Sequence, residues 1–212
     1  MRFLSRCSPA SRQRLLTFPP VHPYNVSVLV LASASPRRQE LLRDAGIAFE
    51  VHPAHITEDP LPDETAKDCA ERLAREKALT VARARPKEVV LGADTVVVVD
   101  GQILGKPRDV ADAARMLRLL SGCTHQVITG VCLVVGAQSS VASEATAVTM
   151  SQLSEKEIGD YIATGEPMDK AGAYAIQGIA SRWIPRIEGD YNNVVGLPVA
   201  LVSNMLEKAG IK

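Results

Sequence analysis

The chain has 212 residues, 46% of them hydrophobic and 23% charged, with 24 basic and 24 acidic side chains. This is the composition of an ordinary folded domain and excludes a fibre or a disordered chain. The charge is uneven: Arg2, Arg6, Arg12 and Arg14 precede residue 28 with no acid among them, so the rest is mildly acidic and lacks the basic face of a general nucleic-acid binder.

Residues 1–27 read as a disordered extension with Pro19, Pro20 and Pro23 as a linker. They lack the roughly 7–15 residue apolar core of a secretory signal; a transit peptide or a start codon assigned too far upstream are the alternatives. Residues 28–212 alternate strand and helix patterns without repeats, which predicts one α/β domain built on a mixed sheet. Val28 to Ala32 is an unbroken apolar run, hence a buried strand. Ser33, Ala34, Ser35, Pro36, Arg37 and Arg38 follow, with Ser35 as N-cap and Pro36 opening a helix that stops at Gly46. Two guanidinium groups at a helix start, where backbone amides are unpaired, outline an anion site.

A long helix is predicted over residues 64–85, started by Thr65, with Ala66, Ala70, Leu73, Lys77 and Val81 along one face. Lys77 is out of character there; it either snorkels at the helix edge or reaches a cleft. Residues 89–100 are the most strand-like stretch, and Asp100–Gly101 turns the chain back through Ile103 and Leu104 to Gly105, Lys106 and Pro107. Asp109 caps a helix ending at Gly122, residues 124–135 and 143–150 are strands, Ser154 and Glu157 form a capping box for a helix ending at Gly165, and residues 198–209 make a last helix.

Cys7, Cys69, Cys123 and Cys132 are too widely spaced for a zinc site or a small disulfide framework, and read as free thiols of a cytoplasmic protein. His52 and His55 lack a nearby third ligand and read as a surface loop. No apolar run reaches the ~18 residues of a membrane span.

Asp94 and Thr95 interrupt the apolar strand of residues 89–100. A charged, unpaired carboxylate in a core costs several kcal/mol, roughly, so Asp94 must be paired, metal-bound or open to a cleft; it is the foremost catalytic candidate, with a structural ion pair as the alternative. The stretch Gly101 to Pro107 is not a phosphate-binding loop of the Walker type, because its spacing is one residue short and Pro107 stands where Ser or Thr is required. Lys106 can still act as a point charge on a phosphate oxygen. The segment from Glu166 to Gly178 is too polar for a core strand; Gln177 carries donor and acceptor on one amide, suited to a nucleobase edge, and Asp169 with Lys170 can form a local ion pair.

The motifs SASPRR (33–38), GADTVV (92–97), GKP (105–107), SGCTHQVITGV (121–131), GEPMDKAGAYAIQG (165–178) and NVVGLP (193–198) occur in order, and with them the chain resembles the Maf family. The resemblance implies an inosine triphosphatase-like α/β fold, a mixed twisted sheet flanked by helices with a central nucleotide cleft. It also implies a nucleoside triphosphate pyrophosphatase, often dimeric and dependent on Mg²⁺ or Mn²⁺, and the DKAGAYAIQG form is similar to the branch cleaving dTTP and UTP. On this resemblance Asp94 takes the proton-acceptor place; Arg37, Thr95 and Gln177 match substrate-selectivity positions. Ser33, Arg38, Lys77 and Lys106 match phosphate-binding groups, Glu58 joins Asp94 as a metal ligand, and Asp169 supports the site. Ala175 departs from the usual glycine and is expected to tighten the backbone near Gln177. A broader house-cleaning pyrophosphatase and a nucleotide-sensing division regulator are the competing readings.

Overall fold

The computed structural model of the protein describes residues 28–211; the extension expected over residues 1–27 lies outside them. In chain order the elements are β1 (Leu29–Leu31), α1 (Pro36–Asp44), β2 (Phe49–Val51), α2 (Ala66–Ala84), β3 (Val89–Val99), β4 (Gln102–Leu104), α3 (Val110–Leu120), β5 (Thr124–Val135), β6 (Gln138–Thr149), α4 (Glu155–Ala163), β7 (Arg186–Glu188), α5 (Tyr191–Val195) and α6 (Val199–Lys208). Three 3₁₀ turns, Glu166–Asp169, Ala171–Ala173 and Ile179–Trp183, fill the polar stretch between α4 and β7.

The helix starts follow their caps. The Ser35, Thr65, Asp109 and Ser154 side chains each accept from a backbone N–H three residues on, satisfying donors that have no partner inside the helix. Seven strands form one mixed sheet in the order β2-β1-β3-β5-β6-β7, with β4 also paired to β3. β1 runs parallel to β2 and β3, whereas β3–β4, β3–β5, β5–β6 and β6–β7 are antiparallel.

Side chains alternate across a strand, and the cores follow that alternation. Val90 and Val96 of β3, with Ile128, Cys132 and Val134 of β5, face α2 and pack on Cys69, Ala70, Leu73, Ala74, Ala78 and Val81. Leu91, Ala93, Val131 and Leu133 face the other way, onto Leu42 of α1 and Val202, Met205 and Leu206 of α6. Further along that second face, Val97 and Val127 meet Met116, Leu117 and Leu120 of α3, Tyr161 and Ile162 of α4, and Trp183. Each face thus carries two apolar clusters, and polar residues separate them at the level of Asp94 and Thr95.

Helix α2 lies unusually close to the sheet. A Cβ on Gly92 would stand 2.3 Å from the Ala74 carbonyl oxygen, and one on Gly130 would stand 2.2 Å from that of Ala70. Bare glycine at both positions lets the helix backbone rest on β3 and β5.

Relative to the sequence expectation, β2, β7 and α5 are additional, and β6 begins at Gln138 rather than at residue 143. The early start follows from the tight Gly136–Ala137 turn, where Gly136 takes φ 58° and pairs Val135 with Gln138.

Candidate active site

The site sits at a break in the sheet. One edge of β3 is paired along its length with β5, from Val89 to Val98. On the other edge β1 pairs only with Val90 and Leu91, and β4 only with Val97, Val98 and Val99. Among the described residues, no strand pairs with Gly92 to Val96 on that side. The carboxyl ends of β1 and β4 both run into the break, carrying Ser33 from one side and Lys106 from the other. A cleft of about 390 Å³ opens there, lined from both faces of the sheet. Ser33, Arg37, Arg38, Glu58, Lys77, Asp94, Thr95, Lys106, Asp169 and Gln177 all line it, although they come from seven separated stretches of chain.

On the α2 face the cleft is charged. Lys77 reaches it because α2 is seated on Gly92 and Gly130, and its Nζ lies 2.5 Å from Asp94 Oδ1 and 2.5 Å from Glu58 Oε1. The Lys77 and Asp94 side chains are only 7% and 10% exposed, so neither charge is free to relax into water. Lys106, more exposed, holds the other Glu58 oxygen at 2.8 Å. Burial works against the Glu58 carboxylate, but hydrogen bonds from Lys106 and Lys77 outweigh it and hold the carboxyl at about 2. The chain Asp94–Lys77–Glu58–Lys106 therefore alternates in sign, and each buried ion has a partner.

On the opposite face the cleft is lined by hydroxyls and one buried guanidinium. Arg38 donates through Nε to the Gly196 carbonyl at 2.8 Å, through Nη1 to the Ala93 carbonyl at 2.9 Å and Ser33 Oγ at 3.1 Å, and through Nη2 to Thr95 Oγ1 at 3.1 Å. The Ala93 carbonyl belongs to the unpaired edge, so Arg38 substitutes for the missing strand. Four of its five N–H donors are engaged within the protein. Burial lowers its pKa, opposed by the Asp94 charge. Thr95 Oγ1 lies 2.9 Å from Thr129 Oγ1, which donates to the Asn193 backbone carbonyl at 3.2 Å. The Asn193 amide in turn donates to the Val127 carbonyl and to Thr146 Oγ1, both at 2.9 Å.

The rim is formed by the 3₁₀ segment. Arg37 stands 3.7 Å from Asp169, which also pairs with Lys170. Burial opposes ionisation of Asp169, but Lys170 and Arg37 bring its pKa below the ordinary value. Gln177 is exposed at the mouth. Ala175 lines the wall in an ordinary backbone conformation, with its N–H donated to the Tyr161 hydroxyl at 3.1 Å. Beneath it, Tyr174 lines the cleft and its hydroxyl lies 2.8 Å from His125 Nε2. Among the described residues His125 Nδ1 has no partner, and burial lowers the imidazole to about 4, so it is neutral near pH 7.

Sequence reasoning singled out neither Thr129 nor the Asn193 carbonyl. Thr129 lies opposite Thr95 in the β3–β5 register. A hydroxyl in the otherwise apolar run Ile128 to Val135 was the available signal.

The family model described as Maf-like protein matches residues 28–209. The chain belongs to the Maf family. Similar proteins include the dTTP/UTP pyrophosphatase of Koribacter versatilis (strain Ellin345), 57% identical over 189 residues that cover 89% of this Maf chain and 98% of the relative. Those of Symbiobacterium thermophilum and Geobacter sp. (strain M21) are 53% and 51% identical, covering 86% and 87% of this chain and 94% and 96% of their own. Among solved structures, the Staphylococcus aureus Ham1 protein aligns with a TM-score of 0.49 at 14% identity, over 85% of this Maf chain and 98% of that one.

Proposed function

We propose that this Maf protein hydrolyses dTTP and UTP between the α- and β-phosphates, giving the nucleoside monophosphate and pyrophosphate. The observation that carries the reading is the alternating Asp94–Lys77–Glu58–Lys106 chain on one wall of a nucleotide-sized cleft. The names of relatives at 51–57% identity over most of the chain support the choice of substrate.

Asp94 is the base that orients the attacking water and takes its proton. Lys77 pairs with that buried carboxylate and fixes its direction. Lys106 is an exposed cation at the mouth, suited to neutralise charge on the departing pyrophosphate. Arg37 lies within reach of the same anion across the cleft, and Arg38 holds the broken edge of the sheet in shape. Ser33 accepts from Arg38 and from the Ser35 backbone N–H, 3.2 Å away, which orders the turn entering α1 and leaves its hydroxyl proton to donate to a phosphate oxygen.

The donor set suits a divalent cation of the Mg²⁺ or Mn²⁺ kind. Such ions bind through one or two carboxylates together with substrate phosphate oxygens, rather than in an all-protein cage. Asp94 and Glu58 already share one cation, Lys77 Nζ, and among the described residues there is no group of three or more acidic, His or Cys side chains that would form a cage. Bound there, the ion would supply charge neutralisation of the phosphates and a more acidic water. Among the described residues Cys69, Cys123 and Cys132 form no disulfide, which suits a reducing cytoplasm. Among the described residues no helix is long and apolar enough to cross a membrane.

The test is pyrophosphate release from a panel of nucleoside triphosphates, with and without EDTA, by the wild type and Asp94→Asn. The expected result is EDTA-sensitive release from dTTP and UTP in preference to purine triphosphates, lost by at least about 10³-fold in Asp94→Asn, as for removal of a general base with its electrostatic role. Near-normal turnover by that variant refutes the role of Asp94. A flat response across the panel replaces the dTTP/UTP reading with a broader house-cleaning one.

A further inference from the structure

We infer that Thr129, buried beneath the cleft, is a positioning residue that makes Thr95 an obligatory hydrogen-bond acceptor toward the substrate, so that this protein selects bases offering a ring N–H at that point. The inference rests on the dTTP/UTP reading and assigns the part of the pyrimidine that Thr95 reads.

A hydroxyl has one hydrogen to donate and two lone pairs that accept. Asn193 is fully buried, and among the described residues its backbone carbonyl has one hydrogen-bond donor, the Thr129 hydroxyl at 3.2 Å. A buried carbonyl left unpaired costs about 1–3 kcal/mol, which commits the Thr129 proton to Asn193. The bond between Thr129 and Thr95, at 2.9 Å, then has a fixed direction: Thr95 donates and Thr129 accepts. The other protein acceptor near Thr95, the Gly196 carbonyl, is farther away at 3.4 Å and already takes the Arg38 Nε hydrogen at 2.8 Å. Arg38 Nη2 fills one lone pair of Thr95 Oγ1 from 3.1 Å. One lone pair remains, on a half-buried residue that lines the cleft.

Thr95 and Asp94 are neighbours on β3 and therefore face opposite sides of the sheet. The charged chain that suits phosphates lies on the Asp94 side, and the Thr95 side carries no acid in direct contact with the hydroxyl. Among the described residues the one cation touching Thr95, Arg38, is turned onto four protein acceptors, so that side suits the base. Uracil and thymine present an N3–H between two carbonyls, which matches the free lone pair. Cytosine presents a bare N3 lone pair there, and two acceptors facing each other in a partly dry cleft repel. Replacing Thr129 removes the acceptor for the Thr95 proton, so Thr95 regains the freedom to donate into the cleft and the discrimination relaxes.

The experiment measures kcat/KM for UTP and CTP in the wild type, Thr129→Val and Thr129→Ser by pyrophosphate release. The expected result is a UTP-over-CTP ratio that falls about tenfold or more in Thr129→Val, with UTP turnover bearing the loss, and that returns in Thr129→Ser. Equal loss for both nucleotides, or a ratio that Ser fails to restore, overturns the inference and leaves Thr129 a packing residue. Wild-type protein alone gives a second reading, independent of how well the variants fold. It is expected to prefer UTP by about tenfold over 3-deazauridine triphosphate, which has C–H where the ring N–H stood. Equal turnover of those two also overturns the inference. If the wild type releases no pyrophosphate from UTP, the proposed function itself fails and the inference with it. Discrimination in the wild type with an unmoved ratio in Thr129→Val fails the inference alone.

Discussion

Gly130→Ala places one methyl group where α2 rests on the sheet, and its cost can be worked from the contact. The new Cβ stands 2.2 Å from the Ala70 carbonyl oxygen, 2.4 Å from the Ala70 carbonyl carbon and 2.6 Å from the Glu71 nitrogen. All three are backbone atoms of α2, so no side chain can swing away. Restoring ordinary contact at 3.4 Å requires the helix to withdraw by about 1.2 Å. Overpacking of this kind costs about 1–3 kcal/mol. For a domain of this size that corresponds to a melting temperature lower by about 2–4 °C per kcal/mol. The same withdrawal carries Lys77 away from Asp94, from a pair held at 2.5 Å. Misplacement by about 1 Å in a catalytic constellation costs about 10²-fold. Thermal melts and steady-state pyrophosphate release on Gly130→Ala check both, with Gly159→Ala as control, because a Cβ there meets nothing within 4 Å. The reasoning is refuted if Gly130→Ala melts and turns over like the wild type, or if the control suffers equally.

Arg38→Lys keeps a positive charge but loses the planar fork that holds Gly196, Ala93, Ser33 and Thr95 together; urea denaturation should show a loss of about 3–5 kcal/mol, as for breaking a buried charged network. Glu58, at about 2 in the folded protein against an ordinary 4.5, contributes stability that is fully present above pH 4.5 and lost as pH falls toward 2; Glu58→Gln should flatten that part of a stability-versus-pH curve. His125 binds its proton more readily unfolded, at 6.5, than folded, at about 4. Its neutral burial therefore costs stability progressively as pH falls from 6.5 to 4, and His125→Gln, which takes up no proton, should lack that decline in the same titration.

The sequence disclosed most where one residue type has one local use. Ser35 before Pro36, Thr65 before Ala66 and the Ser154–Glu157 box located helix starts to within a residue or two, because a cap acts on its own turn. The strands β2 and β7 escaped because three residues carry no readable period, and both present charged side chains such as Glu50, Arg186 and Glu188 to solvent. Lys77 stood out on its helix face and Asp94 in its strand, yet their pairing did not show. The pairing with Asp94 depends on two glycines letting a helix settle onto backbone, and the pairing with Glu58 on a loop that crosses the cleft. The polar segment from Glu166 was correctly unlike a strand, but its first two 3₁₀ turns depend on left-handed conformations at Gly165, Gly172 and Ala173 that composition alone does not reveal.

The break between β1 and β4 leaves a single strand as the partition through the cleft. Asp94 and Lys77 lie on one side of it, and Thr95, Thr129 and Arg38 on the other. With the base read on the hydroxyl side, as proposed, substitutions there change which ring is accepted without moving the carboxylate and lysine behind it. Heredity can therefore edit the lock and the blade separately, and descendants of such a chain are free to diverge in diet while inheriting an unaltered bite.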